Sequence, residues 1–372
     1  MAGVAPRRGA GRSVDAMTPG LKSPRERAQV AGLTPVTHVL FCADRRYIEH
    51  ASVAAVSVAS AARRTPLRIH VMSCDADAAS AARLRSALRP FGHVDVAFHP
   101  VEPERLAGLF ADKHLSKEAY LRFLAPEALP PDVDRVIYLD CDVIALDDVS
   151  ALFAADLGGK AVGAVPDIDW SDHAQTDRLL ALGIRPDQPY VNSGVLVMDL
   201  GEWRRRDLSR RLLAFAAQKG SLLLRHDQDA LNALLGDEIA VLDRRWNVQV
   251  ILYSRYARRA LPRDHAASVE ARRRPSIVHF STDEKPWKFR AWTRKKALYF
   301  RFRDLTPWRD EPPPGLSRAQ WLEHDAALWL LRRGVDVYAV LGAARRLGTM
   351  AARFSGRRLP AAESAEPGAG RA

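Results

Sequence analysis

The sequence predicts an α/β fold: a mostly parallel central sheet covered by helices on both faces, followed by a basic helical extension. Three observations carry this. Short apolar runs of strand length alternate with helical patterns from about residue 36 to residue 280. One of the runs, Val136-Ile137-Tyr138-Leu139, is apolar throughout, as a central strand buried on both faces must be. The positive charge is concentrated in the flanks rather than in this alternating body.

The elements follow in order. "THVLFCA" (37–43) reads as a buried strand and 49–63 as a helix, "LRIHVMS" (67–73) as a second strand, 77–89 as a helix and "HVDVAFH" (93–99) as a third strand. A helical stretch at 116–128 carries Pro126 and should bend or end there. "RVIYLD" (135–140) comes next, with further strands expected at 160–167, 193–200, 238–243 and 276–280, and helices at 201–218 and 228–235. "DEPPPG" then breaks the pattern, and an arginine-rich helical tail follows. The expected organisation is a disordered basic head at 1–33, a catalytic domain at 34–290, a basic amphipathic helical extension at 291–360 and a disordered tail at 361–372.

Composition narrows the classes. The chain of 372 residues is 47% hydrophobic, enough for one large domain plus an extension. Three cysteines (Cys42, Cys74, Cys141), with no Cys-x-x-Cys, indicate neither a disulfide framework nor a zinc ribbon, and fit a reducing compartment. The most apolar segment, "ASVAAVSVASAA" (51–62), is short, small-residue-rich and closed by Arg63 and Arg64, so it reads as a buried helix rather than a membrane span. The N-terminus has no apolar core of the kind a secretory signal carries. Of the net charge of +12, residues 1–30 contribute +4 and residues 288–372 contribute +9, which leaves the body near neutral. A body without positive charge does not grip a polyanion, and no nucleic-acid motif is present. The stretch 288–309 has eight basic residues and one acid interleaved with Trp292, Tyr299, Phe300, Phe302 and Trp308, and 341–359 adds five arginines. A solvated helix face explains the charges; the interleaved aromatics favour attachment to an anionic inner leaflet. The expected location is cytoplasmic, peripheral on the inner membrane face.

Asp-x-Asp occurs five times, against about one match expected by chance. Four of the pairs need no explanation beyond surface aspartates. The fifth, Asp140 and Asp142, follows the buried run 136–139, and ligands in open α/β sheets bind beyond the carboxyl ends of such strands. Two carboxylates one residue apart repel, and a divalent cation relieves that. His279, inside "SIVHFSTDEKPWK" (276–288), reads either as a core histidine or as a ligand delivered at a strand end. With two carboxylates it would suit Mn²⁺, with Mg²⁺ as the alternative that prefers an all-oxygen shell. Lys285 would neutralise a diphosphate. Asp227 stands where a helix N-cap would, with Gln228 on the first turn, and Asn192-Ser193 precede a buried strand as a turn would.

These pieces together resemble family 8 of the retaining glycosyltransferases, most closely its bacterial lipopolysaccharide galactosyl- and glucosyltransferases. The matching stretches are "LFCADRRYIEHASVAAVSV" (40–58), "RVIYLDCDVIALDDVSALF" (135–153), "PYVNSGVLVMDLGEWRR" (189–205), "HDQDALN" (226–232) and "SIVHFSTDEKPWK" (276–288), five ordered motifs over about 250 residues. The resemblance implies a nucleotide-diphospho-sugar transferase fold of the GT-A type. It implies a retaining hexosyltransferase that moves galactose or glucose from a UDP-sugar to a hydroxyl of a glycan or glycolipid acceptor, in lipopolysaccharide or another cell-surface glycan. It implies Mn²⁺ on Asp140, Asp142 and His279. Cys42, Ala43 and Asp44 would cradle the nucleoside, with Tyr47 against the uracil; Cys141 would lie within the metal motif; Thr282, Lys285 and Trp287 would grip the diphosphate. Arg122, Asp167, Asn192, Asp227 and Gln228 would surround the donor sugar, with Gln228, Asp227 and Asp167 nearest the chemistry. Three positions depart from the pattern: Arg46 stands where close relatives carry asparagine, the usual glycine after the histidine is replaced around Ser281-Thr282, and the middle residue of the metal motif is Cys141, which should point away.

Two rival readings are distinct in kind. "YLDCDVI" (138–144) also resembles the opening of haloacid-dehalogenase phosphatases, in which Asp140 would attack phosphate, but that motif normally sits on the first strand and would leave His279 and Lys285 unexplained. The other is a non-catalytic relative that binds nucleotide without turnover.

Overall fold

The computed structural model describes residues 35–110, 117–168, 173–253, 265–289, 295–313, 316–335 and 337. The expected disordered head and tail, the arginines of 341–359, and Trp292 lie outside the described residues. The described residues from 36 onward belong to one compact unit.

Ten strands form among the described residues. β1 is Thr37–Cys42, β2 Leu67–Ser73, β3 Val94–Pro100, β4 Arg135–Leu139 and β5 Val143–Ala145. β6 is Val162–Pro166, β7 Val191–Asp199, β8 Ile239–Val241, β9 Val248–Gln249 and β10 Ile277–His279. Seven of them make one sheet in the order β3-β2-β1-β4-β7-β6-β8, and β5-β10-β9 make a small second sheet. In the large sheet every pairing is parallel except the two made by β7, which runs antiparallel to both β4 and β6. The mostly parallel sheet expected from the sequence is therefore present, with one reversed strand.

That strand explains where the site forms. The chain runs outward from β1 through β2 to β3, then returns to place β4 on the other side of β1, so the order reverses between β1 and β4 and their carboxyl ends flank a crevice. Because β7 is antiparallel to β4, its start lies at that same edge: Leu139 pairs with Val195, and the Asp140 amide donates to the Gly194 carbonyl at 2.9 Å. The end of β6 arrives there too, with Asp167 N donating to Tyr190 O at 2.8 Å.

Alternation along the central strands fills both faces. Val39, Phe41, Ile137, Leu139, Val195 and Val197 belong to one core, and Leu40, Val136, Tyr138, Leu196 and Met198 to the other. The small-residue segment forms helix α1, Ile48–Ala62, with twelve of its fifteen residues buried; alanine and serine let its backbone approach the sheet closely. Helix α2 is Ala78–Leu88, capped by Asp77, whose side chain accepts from Ser80 N at 2.7 Å.

Some boundaries differ from expectation. Residues 117–124 form a 3₁₀ helix and Pro126 falls in the first turn of Ala125–Ala128, so proline starts a helical turn here rather than ending one, where its missing N–H costs nothing. The helix expected at 201–218 is two helices, Leu200–Arg205 and Leu208–Lys219, separated at Asp207, which has a left-handed φ of 52°. Asn192 and Ser193 are not a turn before a strand: they lie inside β7.

The extension folds against the catalytic body. Lys296–Arg303 packs on α1, with Arg303 Nε donating to Glu49 Oε1 at 2.6 Å and Tyr299 Oη 2.7 Å from His50 Nδ1. Tyr299, Phe300, Phe302 and Trp308 are buried. Four of the aromatics that favoured a membrane surface are thus core residues, three of them on a basic helix whose aromatic side covers α1. Helix Arg318–Arg332 follows, opened by a Ser317–Gln320 capping box, and exposes Leu322 (63%) and Trp329 (54%). Among the described residues no helix is long and apolar enough to cross a membrane.

Candidate functional site

A cavity of about 560 Å³ opens at the β1/β4 switch point, a size suited to a nucleotide-sized ligand. Asp140 and Asp142 sit on its floor, the first just past β4 and the second in the turn that leads into β5. That turn brings in the histidine. β5 runs antiparallel to β10, with Val143 opposite His279, and the Phe280 amide donates to the Asp142 carbonyl at 2.9 Å. Residues 137 positions apart therefore meet through one short ladder. His279 Nε2 lies 3.2 Å from Asp142 Oδ1 and 3.7 Å from Asp140 Oδ2.

Each carboxylate has one oxygen occupied and one turned to the imidazole. Asp140 Oδ1 accepts from Tyr138 Oη at 2.6 Å and from Arg122 Nη2 at 3.1 Å. Asp142 Oδ2 accepts from Lys285 Nζ at 2.6 Å. Burial would raise the Asp142 carboxyl, but the Lys285 ammonium and the His279 imidazole hold it below the usual carboxylate range. Lys285 is likewise held protonated: burial pulls its pKa down, and Asp142 more than offsets this. The ligand atoms of Asp140, Asp142 and His279 lie within 4.8 Å of one another. Two carboxylate oxygens and one imidazole nitrogen form a donor set that fits a divalent cation accepting mixed oxygen and nitrogen ligands.

The other wall is built from β7 and the helix His226–Leu235, called α3 here. Asp227 is not the N-cap. Arg225 holds that position, and His226 opens the helix with φ of 45°, which puts Asp227 and Gln228 both on the first turn facing the cavity. The buried Arg122 guanidinium joins the two walls, donating to Ser193 O at 2.7 Å and lying 3.1 Å from both Asp140 Oδ1 and Asp227 Oδ2. Burial raises the Asp227 carboxyl; Arg122 opposes that and Asp140 adds to it. Gln228 Oε1 accepts from Asn192 Nδ2 at 3.1 Å and from Ser193 N at 3.2 Å, while its Nε2 donates to Asp167 Oδ2 at 2.8 Å. Asp167 lies behind the cavity wall: its carboxylate also accepts from Arg225 Nη1 at 2.8 Å, Gln249 Nε2 at 2.5 Å and Ile168 N at 2.8 Å.

Cys42, Ala43, Asp44 and Tyr47 line the cavity after β1, and Thr282 and Lys285 line it after β10. Arg46, which departs from the family pattern, pairs with Asp44 Oδ2 at 2.7 Å. Cys141 turns its thiol to the Cys42 carbonyl, 3.3 Å away. Trp287 is packed behind the wall, stacked on His50 at 3.6 Å between ring centres; it touches Tyr47 edge-on at 6.0 Å and so supports the residue expected to face the uracil.

Several residues were not singled out by sequence. Tyr138, Arg225, Gln249 and Ser281 line the cavity, and Asn247 lies behind it. Gly194 is there for lack of a side chain: a Cβ would fall 2.3 Å from His279 Cε1 and 2.6 Å from Asp140 Oδ2. The alternation Asn247-Val248-Gln249-Val250 was the available signal for β9, because period-two patterning puts both amides on one face.

A doubly wound sheet with a carboxylate-rich switch point and a helix N-terminus facing it defines the chain as a glycosyltransferase of the GT-A architecture. The chain belongs to glycosyl transferase family 8, whose model matches residues 38–291. It is 28% identical to general stress protein A of Bacillus subtilis (strain 168) over 287 residues, 76% of this chain and 98% of that protein. It is 26% identical to the lipopolysaccharide 1,2-glucosyltransferase of Escherichia coli (strain K12) over 221 residues, 59% of this chain and 63% of that enzyme, so it spans under two thirds of that relative. Among solved structures, the galactosyltransferase LgtC in complex with donor and acceptor sugar analogs superposes with a TM-score of 0.64 at 26% identity, covering 77% of this chain and 100% of that one. Membership implies a nucleotide-sugar donor and a glycan acceptor, and removes the phosphatase reading of Asp140.

Proposed function

We propose that the protein transfers galactose or glucose from a UDP-sugar to a hydroxyl of a glycan acceptor, in lipopolysaccharide or another cell-surface glycan, with retention at the anomeric carbon. The observation that carries this is the convergence of Asp140, Asp142 and His279 to within 4.8 Å beside a cavity of nucleotide size. These three residues would hold Mn²⁺, with Mg²⁺ as the alternative; a divalent ion there supplies positive charge to the diphosphate as it leaves. Lys285 adds a second positive charge on the same side, so the bond from the anomeric carbon to the β-phosphate oxygen breaks towards fixed cations. Asp227 and Arg122 border the sugar. Both acceptor positions of the Gln228 oxygen are already taken by Asn192 and Ser193, which suits a dipole that steadies an oxocarbenium-like sugar and not a nucleophile. The acceptor oxygen then attacks from the face that UDP leaves, and its proton passes to the departing phosphate oxygen.

A screen for UDP release with UDP-Gal, UDP-Glc, UDP-GlcNAc and UDP-GlcA tests this. Turnover with UDP-Gal or UDP-Glc, abolished by EDTA and restored by Mn²⁺, is expected. Thermal stabilisation by UDP and Mn²⁺ with no UDP release from any donor contradicts it, and is the outcome for a non-catalytic relative.

The basic extension is proposed to rest on an anionic membrane surface. With Tyr299, Phe300, Phe302 and Trp308 buried, support comes from net charge and from Leu322 and Trp329, exposed on one helix beside Arg332 and Arg333. Leu322→Glu with Trp329→Glu should reduce flotation with anionic vesicles; unchanged flotation removes the idea. Deleting 290–372 is a poorer test, since it also uncovers α1.

A further inference from the structure

We infer that Asn247, which touches neither the cavity nor the cation ligands' carboxylates, is the positioning residue that sets the tautomer of His279. The inference deepens the reading of His279 as a cation ligand and rests on it.

The argument concerns direction. An amide side chain has a donating end and an accepting end, and either can face a neighbour unless something fixes it. Here three groups whose roles are not in question fix a whole chain of them. Asp167 is a carboxylate and accepts, so Gln228 must turn its Nε2 towards it, at 2.8 Å. The backbone N–H of Ser193 can only donate, so Gln228 Oε1 faces it, at 3.2 Å, in agreement. With Oε1 on that side, Asn192 must offer Nδ2 to it, at 3.1 Å. The backbone N–H of Gly194 donates to Asn192 Oδ1 at 3.0 Å, again in agreement. Asn247 must then offer its Nδ2 to Asn192 Oδ1, at 2.8 Å. Its remaining end is an acceptor, and that end meets His279 Nδ1 at 2.9 Å.

The consequence for the imidazole follows from which nitrogen carries hydrogen. Nδ1 donates to Asn247 Oδ1, so in the neutral ring Nε2 carries the lone pair. Nε2 is the nitrogen turned to Asp142 Oδ1 and Asp140 Oδ2, 3.2 and 3.7 Å away. A reversed Asn247 would present Nδ2 to Nδ1, move the hydrogen to Nε2 and leave no lone pair for a cation. All seven residues are buried, so water does not readily substitute for a missing link. The chain also ties the two walls: Asn247 follows the turn 244–246 and precedes β9, which pairs with β10, while Asn192 and Gln228 stand on β7 and α3. Hydrogen-bonding partners behind a ligating histidine fix both tautomer and ring orientation in this way.

The test uses the full chain labelled with ¹⁵N-histidine, free of metal, with His279 assigned by comparison with His279→Gln. Long-range ¹H–¹⁵N correlation reads the tautomer, and Mn²⁺ titration followed by electron paramagnetic resonance reads affinity. The unsubstituted protein should carry hydrogen on Nδ1. Asn247→Leu should lose that signature and bind Mn²⁺ about 10–100-fold more weakly. Asn247→Asp keeps an acceptor for Nδ1–H but loses the donor to Asn192, so it should retain hydrogen on Nδ1; that readout carries the test if the leucine variant does not fold. An Nδ1 without hydrogen in the unsubstituted protein, or an unchanged Nδ1 signature and affinity in Asn247→Leu, overturns the inference. An unsubstituted protein with hydrogen on Nδ1 that binds no Mn²⁺ overturns the cation reading and leaves the tautomer assignment standing.

Discussion

The hydroxyl of Tyr138 donates to Asp140 Oδ1 at 2.6 Å, and this contact decides which oxygen of the carboxylate faces His279. Arg122 reinforces it, sharing Oδ1 at 3.1 Å while lying 4.1 Å over the Tyr138 ring. Tyr138→Phe keeps the packing and frees Oδ1 to rotate. The variant should fold normally and bind Mn²⁺ about 10-fold more weakly, the lower end of the effect seen for residues that orient ligands. Equal Mn²⁺ affinity by calorimetry removes the role.

Gly194 tests how tightly the same corner is packed. Its Cβ position is sub-contact to both His279 and Asp140, so Gly194→Ala must displace one or the other. Activity and Mn²⁺ binding should both fall by at least about 100-fold, as expected when a ligating group moves by an ångström. Circular dichroism should still show a folded chain. Retained Mn²⁺ affinity contradicts the geometry.

Lys285 bonds to both Asp142 Oδ2 and the Phe280 carbonyl, at 2.6 and 2.9 Å. Its ammonium neutralises one of the carboxylates here, and on the proposed reading it would meet the phosphates of a bound diphosphate. Lys285→Met should therefore split two affinities. UDP binding should weaken about 10–150-fold, the range of one charged hydrogen bond. Binding of Mn²⁺ alone should not weaken, since a competing cation is gone. Parallel losses in both titrations contradict this division.

Two buried histidines make stability depend on pH. His50, between Tyr299 and Trp287, is pulled down to about 3 by burial and then by Arg303. His70, bonded to His38 and His99 across adjacent strands, is pulled down to about 3 by burial and then by those two rings. An unfolded histidine titrates near 6.5, so between pH 3 and about 6.5 the unfolded chain binds more protons than the folded one. Stability then falls as pH falls through that window, by at most about 1.4 kcal/mol per pH unit for each ring. Urea unfolding between pH 7 and 5 should show the slope, and His50→Phe should make it shallower by about one proton. An unchanged slope removes His50 from the account.

How far the sequence reached depends on what each feature required. Asp140 and Asp142 were legible because a wholly apolar run marks a central strand, and the switch-point rule then gives its carboxyl end a purpose. From its own residues His279 was legible only as a strand-end imidazole, and its grouping with Asp140 and Asp142 came from the family resemblance; the contact itself depends on the β5–β10 pairing, which no local pattern encodes. Asp167 and Trp287, expected around the donor, lie behind the residues that line the cavity, since side-chain depth follows from packing partners such as Gln228 and His50. The burial of the extension's aromatics was hidden for a related reason. A basic helix with aromatics looks the same whether its aromatic side meets lipid or α1, and only the contacts of Tyr299 with His50 and Arg303 with Glu49 distinguish them.

The most direct test of the central claim is an Mn²⁺ titration of the full chain in the presence of UDP, read by electron paramagnetic resonance, for the unsubstituted protein and for Asp140→Asn, Asp142→Asn and His279→Ala. The account predicts one bound Mn²⁺ per chain, tightened by UDP, and lost in all three variants while the fold persists. A His279→Ala variant that binds Mn²⁺ and UDP as the unsubstituted protein does would contradict it.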